Sequence, residues 1–264
     1  MSLKPPGAAV PASTRYESPG MLGEYLLLHF GEGQDLRHPS LPLPPEITAL
    51  PFPVRCVRGL LDPLLLPEDA AAFEAGCSVG AAAFELARHC PRVTASDFSR
   101  SFIEAAERLA ATGLHDTLLL TEGETRRPFM ARVPADIDRS RVRFAVQDAT
   151  ALPQAFGPFD VVLAANLLCR LPDPGAFLDR LPSLVKPGGQ LLLTTPFSWL
   201  EEFTPRERWI GGLPEHSSSE EELGRRLSPA FRPHRRMDIP FLIREHARKY
   251  QLGIALGTSW VRKP

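Results

Sequence analysis

The sequence has few of the residues that hold small secreted proteins and metal-binding domains together. It contains only 4 cysteines in 264 residues, and no two of them stand in a CxxC spacing. A disulfide framework and a zinc site are therefore not expected, and we predict no bound metal. Thiols that stay reduced are typical of the cytoplasm, which is the predicted location of the protein.

An excess of charge of one sign is also missing. The chain has 30 Lys and Arg against 31 Asp and Glu, which gives a formal net charge of −1. Domains that bind nucleic acid usually show a basic excess, so we expect no nucleic-acid partner. No apolar run approaches the roughly 18 residues of a membrane span, and the N-terminus has no secretory pattern, so a membrane partner is not expected either.

Proline is abundant, with 28 residues, many of them among the first 70 positions. The Pro, Ala and Ser content of residues 1–15 predicts a disordered tail. Residues 16–69 follow as a loop-rich N-terminal segment with short helices. Residues 70–264 form the predicted core, interrupted by an insertion at 117–140 and extended at 197–250.

Strand and helix patterns alternate through the core, and this alternation predicts a doubly wound α/β sheet. Gly113 is expected to end the second core helix. The predicted strands cover 71–75, 92–96, 142–147, 159–166 and 190–195, with a last strand at 251–260 on the sheet edge, and the predicted helices cover 21–30, 81–90, 100–112 and 174–184.

The first predicted strand runs directly into a glycine-bounded turn. Gly76 and Gly80 frame this turn, Glu74 precedes it, and the second predicted strand leads into Asp97. Glycines let the backbone approach a ligand at a helix N-terminus, and the acid can accept hydrogen bonds from a ribose. The spacing differs from GxGxxG, and Glu74 would repel a pyrophosphate, which disfavours a nicotinamide dehydrogenase. A cationic nucleoside fits better, and S-adenosylmethionine is the common one.

Two further features stand in order along the chain. Asp148 follows the third core strand, and Asn166 ends the fourth, before a Gly188-Gly189 turn. Together with the glycine loop and Asp97, they make residues 70–196 resemble the class I S-adenosylmethionine-dependent methyltransferases. The resemblance implies a Rossmann-like, mostly parallel seven-stranded sheet with an N-terminal helical lid formed by residues 16–69.

The same resemblance implies which residues bind the cofactor. Gly76, Cys77 and Gly80 would wrap the methionine part of the cofactor, beside Glu74. Asp97 would bind the ribose, with Phe98 against the adenine, and Asp148 and Ala149 would contact the amino edge of the adenine. Asn166 and Leu167 would face the methyl donor. Ser78 departs from the glycine that many members carry. Plainer roles stay open: a tight turn for the glycines, a helix N-cap for Asp97, and a strand end for Asn166.

The flanking segments narrow the resemblance. The segments 16–18, 24–31, 166–171, 195–204, 209–212 and 248–251 are similar to the methyltransferases of ovothiol biosynthesis, which usually form the C-terminal part of 5-histidylcysteine sulfoxide synthase. The resemblance implies N-methylation of the imidazole ring of 5-thiohistidine to form ovothiol A. It also implies functional coupling to a sulfoxide synthase, whose iron-binding portion has no counterpart here, so a stand-alone version is expected.

Substrate-binding residues are predicted from chemistry and position. The catalytic candidates are Tyr25, His29, Asn166 and Arg170, and the substrate-binding candidates are Tyr16, Tyr25, His29, Arg170, Phe197 and Trp199. Arg170 is a candidate because an arginine suits the carboxylate of an amino acid. Tyr25 and His29 share a helical face, and Phe197 and Trp199 follow the fifth strand, where an aromatic ring could contact the substrate ring or the sulfonium. Core packing or a surface position is the plainer alternative for each.

Two alternative functions remain open at this stage. The first is a class I methyltransferase that acts on another small molecule or on a histidine of a protein. The second is a non-catalytic module that binds the cofactor, or none, and regulates a partner. The intact glycine loop and Asp97 disfavour the second alternative.

Overall fold

The computed structural model describes residues 16–36, 38–214 and 217–264. Its main sheet has seven strands in the order β5-β2-β1-β6-β7-β9-β8. The strands β5, β2, β1, β6 and β7 are parallel, whereas β9 runs antiparallel to both β7 and β8. The strand bounds are β1 Ala71–Ala75, β2 Arg92–Asp97, β3 Leu114–Glu122, β4 Thr125–Arg132, β5 Val142–Val146, β6 Phe159–Ala165, β7 Val185–Thr195, β8 Phe231–His246 and β9 Lys249–Arg262.

Helices pack on both faces of this sheet. One hydrophobic cluster joins the N-terminal helices and the helices after β1 and β2 to one face, and a second cluster joins the later helices to the other. Neighbouring residues of β1 show the alternation, because Ala72 belongs to the first cluster and Phe73 to the second. The helices are α1 Pro19–Phe30, α2 Gly33–Leu36, α3 Pro45–Thr48, α4 Phe52–Leu60, α5 Ala81–Leu86, α6 Arg100–Thr112, α7 Pro174–Leu184 and α8 Ser219–Leu227.

The predicted fold class is confirmed: the sheet is doubly wound, mostly parallel and seven-stranded. The bounds of β1, α6 and α7 agree with the sequence patterns, and Gly113 ends α6 in a left-handed conformation with φ 79°. The helix expected over 81–90 is shorter, because its regular turns end at Leu86. Residues 1–15, the predicted tail, lie outside the described residues.

The last strand predicted at 251–260 is present as β9, but its predicted place at the sheet edge is wrong. The strand β9 lies between β7 and β8, and its residues Ala255 and Val261 are buried. The edge belongs to β8, which the sequence patterns missed within the expected extension 197–250. Pro233 and Pro240 interrupt the strand pattern of β8 in the sequence. An edge strand tolerates prolines, because a residue without a backbone N–H leaves no hydrogen bond to a neighbouring strand unmade on its outer side.

The insertion expected at 117–140 is largely a β-hairpin. Its strands β3 and β4 form a separate two-stranded antiparallel sheet. The hairpin packs closely against α1, where a Cβ on Gly23 would lie 3.2 Å from the carbonyl oxygen of Leu118. The insertion therefore supports the N-terminal helix from outside the main sheet.

Candidate active site

A cavity of about 360 Å³ opens at the carboxyl ends of the central parallel strands. The strand order reverses between β1 and β6, and ligands of open α/β sheets bind at such a point. One half of the cavity wall comes from Glu74, Gly76, Ser78 and Asp97. The volume falls within the usual range of small-molecule sites.

The glycine loop after β1 requires glycine at both predicted positions. Gly76 has φ 70°, and a Cβ there would lie 2.8 Å from Cδ1 of Leu167. Gly80 has φ 89°, and a Cβ there would lie 2.6 Å from the ring of Phe144. Left-handed backbone is unfavourable for other residues, so the loop adopts a path that only glycine follows without strain. Cys77 is fully buried behind the loop and is not part of the cavity wall.

Asp97 ends β2 and fixes the glycine loop. Its Oδ2 accepts a hydrogen bond from the amide of Ser78 at 2.9 Å, and its Oδ1 accepts one from the amide of Ser99 at 2.9 Å. Burial raises the pKa of this carboxyl to about 6, against the lowering effect of these hydrogen bonds. The N-cap of α6 is Ser99, so the alternative of Asp97 as that N-cap is excluded.

Glu74 supplies a second buried carboxyl on the same side of the cavity. Its side chain is buried, and its Oε2 has no hydrogen-bond partner among the described residues. Burial, aided by the charge of Asp97, raises the pKa of Glu74 well above its usual value. The hydroxyl of Ser78, another cavity residue, is likewise buried without a partner. Buried polar atoms normally find partners, so this end is chemically complementary to a cationic ligand with hydrogen-bond donors.

Asn166 has a structural role that accounts for its place at the strand end. It adopts φ 53°, its amide donates to the carbonyl oxygen of Thr194 at 2.8 Å, and its Oδ1 accepts from the hydroxyl of Thr194 at 2.9 Å. These bonds tie the end of β6 to β7. Asn166 and Leu167 also line the cavity, beside Gly76.

The three remaining residues predicted around the adenine lie at the same sheet edge. Phe98 lines the cavity and is 44% exposed. Asp148 and Ala149 are not part of the cavity wall; Asp148 accepts a hydrogen bond from the amide of Thr150 at 2.8 Å and begins a short 3-10 turn. The amide of Gln147 donates to the carbonyl oxygen of Asp97 at 2.9 Å, which holds this segment against β2. Adenine contacts of these residues remain a prediction.

The other half of the cavity is aromatic, with Tyr16 and Tyr25 from the N-terminal segment and Phe98 and Phe102 from the end of β2 and from α6. Tyr16 makes edge contacts with Tyr25, Phe98 and Phe102 at centroid distances of 6.0, 5.6 and 6.0 Å. Burial, and then the neighbouring Tyr16, raises the pKa of the Tyr25 hydroxyl well above 10.0, so Tyr25 stays protonated at neutral pH. Residues of the segment 16–69 thus line the cavity, and a lid role for this segment remains a prediction.

His29 is buried and structurally engaged. Its Nδ1 accepts a hydrogen bond from the amide of Ala81, the first residue of α5, at 3.3 Å. Burial lowers the pKa of His29 from 6.5 to about 3, so the imidazole is neutral. Because Nδ1 is the acceptor, the ring proton belongs on Nε2. At the cavity wall His29 can therefore donate a hydrogen bond, but it does not offer a free basic nitrogen.

Arg170 follows β6 and lines the aromatic half of the cavity. Its Nη1 donates to the carbonyl oxygens of Cys169 at 2.8 Å and Ser198 at 3.1 Å, and its guanidinium lies 4.8 Å from the ring centre of Phe203. Among the described residues, no side chain or backbone group accepts from its Nε or Nη2. Arg170 is thus held in place while part of its fork remains available to an anion.

Phe197 and Trp199 are placed beside the cavity wall and do not form it. Their neighbours Pro196 and Ser198 line the cavity instead. Trp199 stacks on Trp209 at a centroid distance of 6.4 Å, and its indole donates to the hydroxyl of Ser219 at 3.0 Å. The packing alternative accounts for Trp199, and a substrate contact of either ring remains a prediction.

Several cavity residues were missed by the sequence analysis. They share an apolar or amide side chain, or a glycine, and belong to α4, β8 and β9: Phe52, Pro53, Phe241, Ile243, Gln251, Leu252, Gly253 and Ile254. A period-two alternation of apolar residues at Ile239, Phe241 and Ile243 was the available signal for the β8 contribution.

The described residues contain neither a membrane-spanning helix nor a metal-binding cluster. None of the helices in this part of the chain is long and apolar enough to cross a membrane. Within the same residues, no group of three or more His, Cys, Asp or Glu side chains is arranged to hold a metal ion. The four cysteines are free and buried.

Comparisons with known proteins agree with this geometry. Residues 73–193 match a family described as "Methyltransferase domain". A "Ubiquinone biosynthesis O-methyltransferase" of Coxiella burnetii is 25% identical over 122 residues, which are 46% of this chain and 42% of that protein. The chain thus matches less than half the length of this curated relative.

Two solved structures have a similar fold. A SAM-dependent methyltransferase from Methanosarcina mazei has a TM-score of 0.51 at 20% identity, covering 77% of this chain and 99% of its own. A putative methyltransferase from Bacillus halodurans has a TM-score of 0.52 at 14% identity, covering 80% and 98%. The fold and the glycine-loop site together define a Rossmann-like methyltransferase domain. The methyltransferase match covers less than half of the chain, and together with the fold it makes S-adenosylmethionine the cofactor that this site fits.

Proposed function

We propose that this chain binds S-adenosylmethionine in the acidic half of the cavity and methylates a small molecule in the aromatic half. The observation that carries the proposal is the pair of buried carboxyls, Glu74 and Asp97, at one end of a single cavity. When bound, the cofactor supplies an electrophilic methyl group on a sulfonium.

The residues of the acidic half match the parts of that cofactor. Glu74 Oε2, buried without a partner, can accept from the ammonium of the methionine part. The carboxylate of Asp97 already accepts hydrogen bonds from two backbone amides, and each oxygen retains one lone pair for the ribose hydroxyls. Gly76 and Gly80 keep the loop free of side chains beside the ligand.

The residues of the aromatic half position the methyl acceptor and exclude water. In-line displacement needs an unprotonated nucleophile held against the methyl group, and orientation supplies much of the rate enhancement. Tyr16, Tyr25 and Phe102 form an aromatic wall that suits a flat ring. The Tyr25 hydroxyl and the Nε2 of His29 both carry a proton at neutral pH. In our proposal these two groups therefore donate hydrogen bonds that select one tautomer of the methyl acceptor, and they do not remove a proton from it.

Our specific proposal for the acceptor is a ring nitrogen of 5-thiohistidine, giving ovothiol A. The free part of the Arg170 fork suits the carboxylate of an amino acid, and a ring thiolate would make the imidazole nitrogen more nucleophilic without a strong protein base. The cavity volume of about 360 Å³ suits a free small molecule, which we propose in preference to a histidine of a protein. We propose a cytoplasmic enzyme that acts after a sulfoxide synthase.

A second candidate is a small acid with a larger apolar body. Phe52, Phe241 and Ile254 give the far wall of the cavity an apolar lining that an amino acid would fill only in part. Arg170 would hold the acid group of such a substrate as well.

Mass spectrometry tests the proposal. The protein would be supplied with S-adenosylmethionine and either 5-thiohistidine or histidine, with Gly76→Val as the variant that blocks the glycine loop. A gain of one methyl group on 5-thiohistidine alone, absent with the variant, is the expected result. Cofactor binding without methylation of either compound would exclude the thiohistidine proposal and favour the second candidate. No cofactor binding would overturn the proposed function itself.

A further inference from the structure

A second cavity, of about 410 Å³, lies outside the site described above. Among the described residues, His29 is the only one that lines both cavities. The second cavity is enclosed by the segment after α1, by α4 and α5, and by the stretch 132–137 that follows the hairpin. Its volume is within the range of small-molecule sites, and methyl transfer as proposed above makes no use of it.

Hydrogen-bond donors are in excess in this cavity. Arg58, Arg88 and Arg132 line it, against the carboxylates of Glu32 and Glu85. Glu85 is buried and paired with two of these arginines, because its Oε1 accepts from Nε of Arg58 at 2.7 Å and its Oε2 from Nε of Arg88 at 2.9 Å. Glu32 is exposed and accepts from the side chain of Gln34 at 3.2 Å.

Two of the arginines have unused donors. The side chain of Arg132 has no hydrogen-bond or ion-pair partner among the described residues, and Arg58 uses only its Nε there. Arg88 is fully engaged by Glu85 and Asp136. Arg58 and Arg132 are exposed, so these donors contact water in the unliganded protein, and the acceptor oxygens of an anionic ligand could replace that water.

The remaining wall is apolar and partly aromatic. Phe30 packs against the almost completely buried Phe84 in a tilted arrangement at a centroid distance of 6.4 Å, and Val54 and Ile137 also line this side of the cavity. A small inorganic anion would leave this surface uncovered, whereas a flat apolar body would cover it.

We propose that the second cavity binds a small aromatic molecule that carries a single anionic group, held by Arg132 and the free end of Arg58. The ring system lies against Phe30 and Phe84. This site is separate from methyl transfer and would admit a regulatory ligand or a second small molecule next to the glycine-loop helix α5.

The test is a fluorescence titration with 8-anilinonaphthalene-1-sulfonate, an aromatic monoanion. Arg132→Gln removes the unpaired cation, and Val54→Trp fills the cavity while leaving the charges in place. The matched controls are Arg232→Gln, an exposed arginine of β8, and Arg170→Gln in the active-site cavity. Far-UV circular dichroism of each variant reports folding.

We expect Arg132→Gln to weaken binding about tenfold or more, as for the loss of a charged hydrogen bond, and Val54→Trp to abolish it. Both controls should bind as the unaltered protein does. Equal affinity in Arg132→Gln and the unaltered protein, or loss of binding only in Arg170→Gln, would overturn the proposal. Neither result depends on whether the protein methylates any substrate.

Discussion

The carboxylate of Asp97 accepts a hydrogen bond from the backbone amide of Ser78 at 2.9 Å, and this contact joins the end of β2 to the glycine loop. The same carboxylate accepts from the amide of Ser99 at the start of α6. One buried side chain thus shapes the loop and presents acceptors to the cavity. Its charge state therefore governs both loop geometry and the proposed ribose contact.

Cofactor affinity should depend on the ionisation of Asp97. Its pKa in the folded protein is about 6, raised from 3.8 by burial, so a proton is bound below that pH. The affinity for S-adenosylhomocysteine should rise as the pH increases through about 6, because the ionised carboxylate accepts hydrogen bonds better. Calorimetric titration between pH 5 and 8 measures this. Asp97→Asn should bind roughly ten- to a hundredfold more weakly and without this pH dependence, whereas the exposed Asp179→Asn should behave as the unaltered protein.

The effect of Asp97 on the stability of the unliganded protein has the opposite direction. Because its folded pKa is raised, the folded state holds a proton between about pH 4 and 6 that the unfolded state has lost. Its contribution to the free energy of unfolding should therefore fall as the pH rises through that interval. Urea denaturation of the unaltered protein and Asp97→Asn at several pH values would show the difference. An identical pH profile for the two would contradict a raised pKa.

His29 should make the protein sensitive to acid. Its pKa is lowered from 6.5 to about 3 by burial, so the unfolded state takes up a proton in this interval that the folded state excludes. The free energy of unfolding should fall as the pH drops below about 6.5, by about 1.4 kcal/mol per pH unit from this group. His29→Asn should remove that slope and keep an acceptor for the amide of Ala81. His29→Leu should also remove it but lose roughly 1–3 kcal/mol by leaving that amide unpaired.

A steric test of the loop uses the contact between Gly76 and Leu167. In Gly76→Ala the new Cβ would lie 2.8 Å from Cδ1 of Leu167, and φ 70° would add roughly 1–2 kcal/mol of backbone strain. We expect a lower melting temperature and weaker cofactor binding. The double variant Gly76→Ala, Leu167→Ala should regain the stability that the steric contact costs, but it should keep the loss that comes from backbone strain. If Gly76→Ala lowers the melting temperature and the cofactor affinity as much in the Leu167→Ala background as in the unaltered protein, the contact with Leu167 is not the cause.

The parts of the fold that were predictable depend on local patterns. The loop of Gly76 and Gly80, the acid at Asp97 and the N-terminus of α7 all follow from residues close together in the chain. The edge strand β8 was not predictable in the same way, because prolines and arginines interrupt its pattern and its partner β9 determines its position. The hydrogen bond of His29 to Ala81 spans 52 residues, and no local pattern encodes it.

The cavity shows the same division between local and long-range information. Its acidic half is built from β1, β2 and the loops after them, which the sequence places by period and by glycine. Its apolar far wall is brought in by Phe52 from α4, Phe241 from β8 and Ile254 from β9. Because residues far apart in the chain form that wall, the cofactor was predictable from sequence more readily than the methyl acceptor.

The last prediction concerns the anionic group of that acceptor. Arg170 is fixed by the carbonyl oxygens of Cys169 and Ser198, and no described residue accepts from its Nε and Nη2. Arg170→Gln should raise the KM for 5-thiohistidine roughly ten- to a hundredfold with a smaller change in kcat, because the contact is equally strong before and during methyl transfer. The KM of Arg170→Lys should lie between those of the unaltered protein and Arg170→Gln, because lysine keeps the charge but lacks the planar guanidinium.

The decarboxylated amine of 5-thiohistidine provides the matched substrate for this prediction. It lacks the carboxylate, so Arg170→Gln should change its KM little, while the exposed Arg232→Gln should leave both substrates unaffected. Steady-state kinetics with the two substrates separates the contributions. An equal loss with both would mean that Arg170 acts on the structure of the cavity wall, through Ser198 and Phe203, and not on the carboxylate. In that case the anionic end of the substrate must lie elsewhere, and Tyr25 and His29, each of which can donate a hydrogen bond, would be the groups left in the aromatic half to receive it.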